Sequence, residues 1–548
     1  MRRRAWLLAA MALAACSKVD GGTGSATSGA AGVRQNSFTV PHVLRFSDGE
    51  DIAGLNPHLV QQTSLGQLSS LTMAWLVKFN HENQPIPELA TEVPTKENGG
   101  ISADGKTITY HLRTDAKWSD GVPFSADDVV FSTKVVLNPA NLEVSRTGWS
   151  LIAKIDEPDN HTVVYHLKKP YAPAIVSFFG SAGANPCILP KHLLGSLPDI
   201  NHAAYNALPV GIGPFKYKQW KRGDFVELVA NPLYFRGRPK LDKVIYKIVP
   251  DWNTVVTELQ SGELDLAAYV PNSLFARVQA LRGFITVHEP SLYFSHVDLN
   301  LTRPALKDPA VRRALLYATD RRTIVEKIEH ALGVVQDSPI SPINPVHDPS
   351  IPVTPFDLDK AKAILDAAGW KLGADGIREK GGLKLALDLA TVAGNAERDQ
   401  WAAIMQNGWQ KIGVKLTVKH YLPSLMFASY SDGGILYTGK FDLAQFQWGG
   451  DPIGDLSNLY ECSQIPPNGQ NVSRYCNKAA DAAMERVKAD YDLGDRRRDD
   501  AIVQQLLAKD IPTIVLFIPE DVFVYNSDFH GWRPNALSPF DQFMDADI

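Results

Sequence analysis

The segment Gln447-Trp448-Gly449-Gly450-Asp451-Pro452 carries the residue types of an amine-binding site. Asp451 offers a carboxylate that can accept charge-assisted hydrogen bonds from an ammonium group, and such bonds strengthen where water is excluded. Gly449 and Gly450 leave space for a ligand backbone to approach, and Trp448 can cover it. The same residues suit a plainer use, in which Asp451 caps a Gly-Asp-Pro turn. The segment directly follows the strand-like run Phe441 to Phe446.

Catalytic patterns do not compete with this reading. The chain has no GxSxG elbow, and His81-Glu82 lacks the second histidine of HExxH. Gly211-Ile212-Gly213 runs into Pro214 and Phe215 and fails as a phosphate loop. The fourteen histidines are scattered, and the spacing of His161 and His166 suits neither one strand face nor one helix turn, so no metal site is expected. Asp127-Asp128 reads as a solvated face or a helix cap. An enzyme therefore has no residue to rest on, and no cofactor is expected.

With 548 residues, 45% hydrophobic and 21% charged, the chain has the length of several domains and the composition of a soluble globular protein. Lys and Arg number 55 against 60 Asp and Glu, a formal charge of -5, so no basic excess is available for a nucleic acid. The four cysteines, Cys16, Cys187, Cys462 and Cys476, form no CxxC pair. At the N-terminus Arg2, Arg3 and Arg4 precede an apolar run from Ala5 to Ala15, too short to span a bilayer and shaped like an export signal. Leu13-Ala14-Ala15-Cys16 resembles the bacterial lipobox, which implies a signal peptide over 1–15 and an acylated Cys16 anchoring the protein to a membrane. The Gly-, Ser-, Ala- and Thr-rich stretch that follows, 16–37, is expected to be a flexible tether. Folded sequence should begin near Phe38.

From there strand-like and helix-like segments alternate, the pattern of an α/β protein. Ile108, Tyr110 and Leu112, then Val163, Tyr165 and Leu167, then Val244, Tyr246 and Ile248 follow the period of half-buried strands. Ala361, Ile364, Leu365 and Ala368 predict a helix stopped by Gly369. Glu397 to Lys411 predicts a helix ending at Gly413 and leading into the strand Val414, Leu416, Val418, as in a crossover unit. Asp308-Pro309 marks a capped helix start. Ala479 to Lys509 reads as two amphipathic helices before a buried strand, Ile514 to Ile518.

A series of turn-rich segments then points to a family. In chain order they are Asn56-Pro57-His58, Pro87-Glu88-Leu89-Ala90, Lys117-Trp118-Ser119-Asp120-Gly121 with Ala126-Asp127-Asp128-Val129, and Val210-Gly211-Ile212-Gly213-Pro214-Phe215. Asn231-Pro232-Leu233-Tyr234, Val311-Arg312-Arg313-Ala314-Leu315, Ala368-Gly369-Trp370 and Phe441-Asp442-Leu443 continue the series. From Phe38 to the end the chain resembles the family 5 bacterial extracellular solute-binding proteins, the peptide-binding components of ABC importers. Most of these segments build turns and caps. Trp118, Trp149, Trp252 and Trp532 are expected in the core.

The resemblance implies a two-lobed α/β periplasmic-binding-protein fold, large and type II-like with an extra domain, mixed sheets, and a ligand in the interlobe cleft. The expected domains are 38–75 with 210–295 and 520–548, the extra domain 76–209, and a second lobe 296–519. It implies that Asp451 receives a peptide α-ammonium, that Gln61, Gln62 and Thr63 face it from the opposite wall, and that Val392, Ala393 and Asn395 form a third wall. Dipeptide-specific relatives carry an arginine in that third loop; here none comes before Arg398, so strict dipeptide specificity is not expected. Cys462 and Cys476 match a disulfide pair of some relatives, leaving Cys187 buried and free. The implied partners are a peptide or other small solute, an ABC permease in the inner membrane, and the membrane through the lipid anchor. The protein is expected to be a monomer in the cell envelope. A glycoside, an opine-like compound or a metal chelate is the alternative ligand.

Overall fold

A computed structural model describes residues 36–181 and 185–548. The signal peptide, Cys16 and nearly all of the tether lie outside the described residues. In chain order the elements that position the site begin with β1 (Val43–Ser47), α1 (Thr63–Thr72), β2 (Thr107–His111), α2 (Ala126–Leu137), β3 (Ile152–Asp159) and β4 (Thr162–Leu167). They continue with β5 (Phe215–Lys221), β6 (Phe225–Ala230), β7 (Lys243–Lys247), β8 (Leu266–Ala268), β9 (Phe284–Pro290) and β10 (Phe294–Leu299). The C-terminal part adds α3 (Leu358–Ala367), β11 (Ala386–Val392), α4 (Ala396–Gln410), β12 (Lys415–Tyr421) and β13 (Leu443–Trp448). It ends with α5 (Lys478–Ala489), α6 (Leu493–Asp510) and β14 (Thr513–Asn526).

The predicted helices lie where their caps and periodicity place them. Asp357 accepts a hydrogen bond from the Lys360 amide at the start of α3, and Gly369 follows it with φ +84°. The α4 helix joins two neighbouring parallel strands, β11 and β12, with Ala386 opposite Lys415, so the expected crossover is present. Ser125 and Asp128 form a capping box at α2. The buried strand of the C-terminal region is longer than its apolar core suggested, running fourteen residues from Thr513 to Asn526.

That strand organises the molecule. The main sheet runs β12-β11-β13-β10-β14-β8-β1-β7-β6-β5, with β9 and Gly333–Val334 also paired to β14. The N-terminal part of β14, from Thr513 to Phe517, pairs with β10, and its C-terminal part, from Phe523 to Tyr525, pairs with β8. Two half-sheets thus share one strand. Each has its own apolar core: Leu299, Leu315, Leu389, Trp409 and Leu516 in one, Leu44, Phe46, Leu228, Tyr246 and Phe540 in the other. A separate antiparallel sheet, β2-β4-β3, packs with α2 on a third core that contains Trp118 and Trp149. Trp532 is buried as expected, whereas Trp252 is only partly buried, at the edge of a smaller cluster.

Several family-like segments are fasteners between these bodies. His58 is fully buried, with its Nδ1 3.0 Å from Glu143 and its Nε2 2.9 Å from the Cys187 carbonyl oxygen. Burial alone pushes an imidazole pKa down, but here the Glu143 charge and these hydrogen bonds outweigh it and lift His58 to about 10. The Gly211 turn lies so close to the end of α1 that a Cβ there would sit 1.9 Å from the Thr72 carbonyl oxygen. Cys462 and Cys476 form a disulfide across a Cα separation of 4.6 Å, and Cys187 is free and buried.

Replacing Glu143 by Ala removes the charge that keeps the buried His58 protonated. Loss of one partner of such a buried pair costs about 3–5 kcal/mol, so Glu143→Ala should lower the urea midpoint accordingly, with the m-value unchanged. An unaltered midpoint would show that the pair contributes nothing.

Candidate ligand-binding site

The topology says where a ligand can sit. In the first half-sheet β1 is parallel to β7 and β8, and its carboxyl end leads into Asp48, Gly49 and Glu50, while β8 leads into Tyr269. In the second, β11 is parallel to β12 and β13, and the carboxyl ends lead into Val392 to Asn395 and Gly449 to Asp451. Trp448 lies opposite Phe294, near Phe517 on β14, and Ala268 lies opposite Phe523. Both sets of carboxyl ends therefore converge on Ile518 to Val522, the middle of the shared strand. Open α/β sheets bind ligands at such ends.

The crossing segments form the floor. The Ser291 amide donates to the Pro519 carbonyl oxygen at 2.9 Å, and Tyr293 follows, half its surface exposed. Asp521 is half-buried here and makes no ion pair among the described residues; burial pushes its carboxyl up to about 7. Neither residue was legible as a site residue, because their position is set by strand crossings and not by a local motif.

The Trp448 to Asp451 segment rises from this floor. Trp448 is half-buried and packs edge-on against Phe446 at 5.3 Å. Gly449 is exposed beside the Tyr293 ring. Gly450 makes room for a different neighbour from the one expected: its amide donates to the Leu292 carbonyl oxygen at 3.0 Å, and a Cβ would lie 2.4 Å from that oxygen. Its bareness serves the chain's own close approach. Of the two uses read from the sequence, the contacts of Asp451 show the turn cap. Its Oδ1 accepts from the amides of Ile453 at 2.8 Å and Asp455 at 3.2 Å, capping the turn. Among the described residues no donor reaches its Oδ2. Asn344 holds the turn from outside by donating to the Asp451 carbonyl oxygen at 3.0 Å.

Asp451 is electrostatically loaded. Burial, and then the charge of Asp455, push its carboxyl up to about 7 against the two amide bonds. Asp500 is pushed to about 8, first by burial, with Arg496 opposing. A carboxylate that is costly to ionise and keeps one oxygen unbonded is suited to an incoming cation.

The remaining expected wall residues divide. Gln61 and Thr63 are exposed at the start of α1, where the Ser64 amide donates to Glu50 at 3.2 Å, at the carboxyl edge of the first half-sheet. Gln62 lies between them, but both ends of its amide are already used: Oε1 accepts from the Ala53 amide at 2.8 Å and Nε2 donates to the Asp51 carbonyl oxygen at 3.0 Å. It fastens a loop. Val392 and the Ala393 amide pair with Tyr421, and Asn395 caps α4 by accepting from the Arg398 amide at 2.9 Å. Arg398 itself is half-buried, and its guanidinium has no hydrogen bond or ion pair among the described residues; burial lowers its pKa. Among the described residues no group of three or more His, Cys, Asp or Glu is placed to hold a metal ion.

Comparison with known proteins identifies the frame. The sequence pattern of the bacterial extracellular solute-binding proteins, family 5 (middle region), matches residues 84–468. The chain belongs to this family. It is 29% identical over 472 residues to the oligopeptide-binding protein AppA of Bacillus subtilis (strain 168), covering 85% of this chain and 84% of that protein. The structure of that AppA with a nonapeptide superposes with a TM-score of 0.73 at 26% identity, covering 92% of this chain and 98% of that one. NikZ from Campylobacter jejuni in complex with Ni(L-His) gives a TM-score of 0.73 at 28% identity, covering 90% and 96%. The family 5 chain thus has the two-lobed α/β fold of periplasmic binding proteins.

The Asp451 carboxyl holds a proton in the folded protein up to about pH 7, whereas unfolded it would lose it near 3.8. Between these values the folded state binds more protons, so this group's contribution to stability falls as pH rises. Asp451→Asn, which keeps the Oδ1 acceptor, should therefore stabilise the ligand-free protein more at pH 8 than at pH 5. Denaturation midpoints at the two pH values check this, and an equal change at both would refute it.

Proposed function

We propose that this family 5 protein captures peptides by closure of its two lobes and delivers them to the permease of an ABC importer. The observation that carries the reading is Asp451: a desolvated carboxylate with an unbonded Oδ2, where the carboxyl ends of both half-sheets converge. A peptide α-ammonium would meet Oδ2, Trp448 would cover the first residue, and Gln61 and Thr63 would face the main chain. Arg398 is the nearest match to a carboxylate anchor in the third wall, and its place on α4 beyond the loop favours peptides longer than two residues. The similarity to AppA, whose structure holds a nonapeptide, supports the same choice.

The domain limits proposed from sequence are retained here, 76–209 as the extra domain and 296–519 as the second lobe. Acylation of Cys16 would hold the mature, monomeric protein at the envelope membrane, its formal charge moving from -5 to -8 as three arginines leave with the signal. A second reading, a metal chelate, draws on the likeness to NikZ with Ni(L-His). With no metal-holding group among the described residues, the chelator itself would have to carry the ion.

Native mass spectrometry of protein beginning at Phe38, purified without unfolding, separates these readings. A heterogeneous set of intact short peptides is expected. Asp451→Ala should lose them and weaken affinity for a representative peptide by at least roughly 30-fold, the equivalent of ~2 kcal/mol for an unpaired charge. One uniform non-peptide mass would overturn the peptide reading, and peptides shortened during storage would indicate turnover.

A further inference from the structure

The end of the cleft beside Asp451 is closed by contacts that require no ligand. Tyr491 lies between α5 and α6, and its hydroxyl stands 3.0 Å from the Gly105 carbonyl oxygen and 3.2 Å from that of Tyr171. The Tyr171 amide donates back to it at 3.4 Å, and the Ala172 amide donates to the Lys488 carbonyl oxygen at 2.7 Å. Lys169 and Glu485 approach to 3.3 Å at the rim, both about half exposed, where such a pair adds little. Beneath this seam Ile453, two residues beyond Asp451, packs with Phe79 and Val176.

The seam fixes one side chain in particular. Tyr171 is buried, and its ring fills the space left by Gly148, where a Cβ would lie 2.5 Å from Cε1. Gly148 has φ +80°, which suits glycine, so the backbone there is shaped to receive the ring. After burial, the charges of Asp455 and then Asp451 raise the Tyr171 pKa.

We propose that Tyr491 is a positioning residue for the ligand site: by bonding the backbone at Gly105 and Tyr171 it ties the body that carries Phe79 and Val176 to the one that carries Ile453 and Asp451, and keeps this end of the cleft closed even without ligand. The closure stands on its own contacts; only its effect on affinity rests on the reading of Asp451 as the amine anchor. A ligand then enters from the opposite end, and its amine is sealed in rather than left at an open mouth. Removing the hydroxyl alone biases the equilibrium toward the open form and shortens the life of the bound state.

The test is Tyr491→Phe, which keeps the ring beside Gly105. X-ray scattering of ligand-free protein should give a larger radius of gyration than wild type, with the two proteins equal once loaded with a tight-binding peptide. The peptide dissociation rate should rise roughly tenfold, the scale of one lost hydrogen bond. An unchanged ligand-free radius, or an unchanged dissociation rate, overturns the proposal. If wild type binds no peptide, the proposed function fails, and scattering of the ligand-free pair still decides the closure.

Discussion

Thr513–Asn526 is one uninterrupted strand that two half-sheets must share. Its first residues are locked to β10 and its last to β8, so neither half-sheet can shift its register without disturbing the other. Because the neighbours run in fixed directions, the parallel strands of both halves point their carboxyl ends at the middle of this strand. Only there, at Pro519 to Asp521, does its burial relax between two runs of buried residues. The candidate site is thus a consequence of topology: the place where two carboxyl edges face each other is also where the shared strand is less enclosed.

The carboxylates gathered around that place are held in a costly state. Asp451, Asp500 and Asp521 are all raised to about 7 or 8, first by burial. A fold does not gain from such groups, and three separate apolar cores offset what they cost. Strain of this kind collects where a protein has to bind something. On the proposed function a single Asp451 side chain would serve both needs. One oxygen secures its own turn, which fixes where the other one points, so the proposed anchor for a cation would be preorganised rather than assembled on binding.

How far the sequence could be read depends on how local each cause is. Helices such as Leu358–Ala367 and the β11-α4-β12 crossover follow from periodicity and caps written within a few residues. The Asp451 turn was legible for the same reason. Roles set by distant partners were not. Gln62 looked like a free amide because Asp51 and Ala53 turn toward it only in the fold, and Gly450 looked like a gap for a ligand because nothing local announces Leu292. Asn395 likewise reads as a contact until it is seen capping α4. Tyr171, Tyr293 and Asp521 carry no motif at all, since they matter only through where the chain crosses.

Those distant roles decide how a ligand could drive closure. A ligand shifts an equilibrium only by its difference in affinity for the two states. Asp451 lies in the second half of the chain, yet the residue two beyond it packs on Phe79 and Val176 of the body built around β2, β3 and β4. A ligand bound at Asp451, as proposed, would therefore be felt by both sides through a span of only a few residues. The turn that presents the carboxylate is also the wedge between the bodies, so on the proposed function neutralising its charge and stabilising the closed arrangement would be parts of one event.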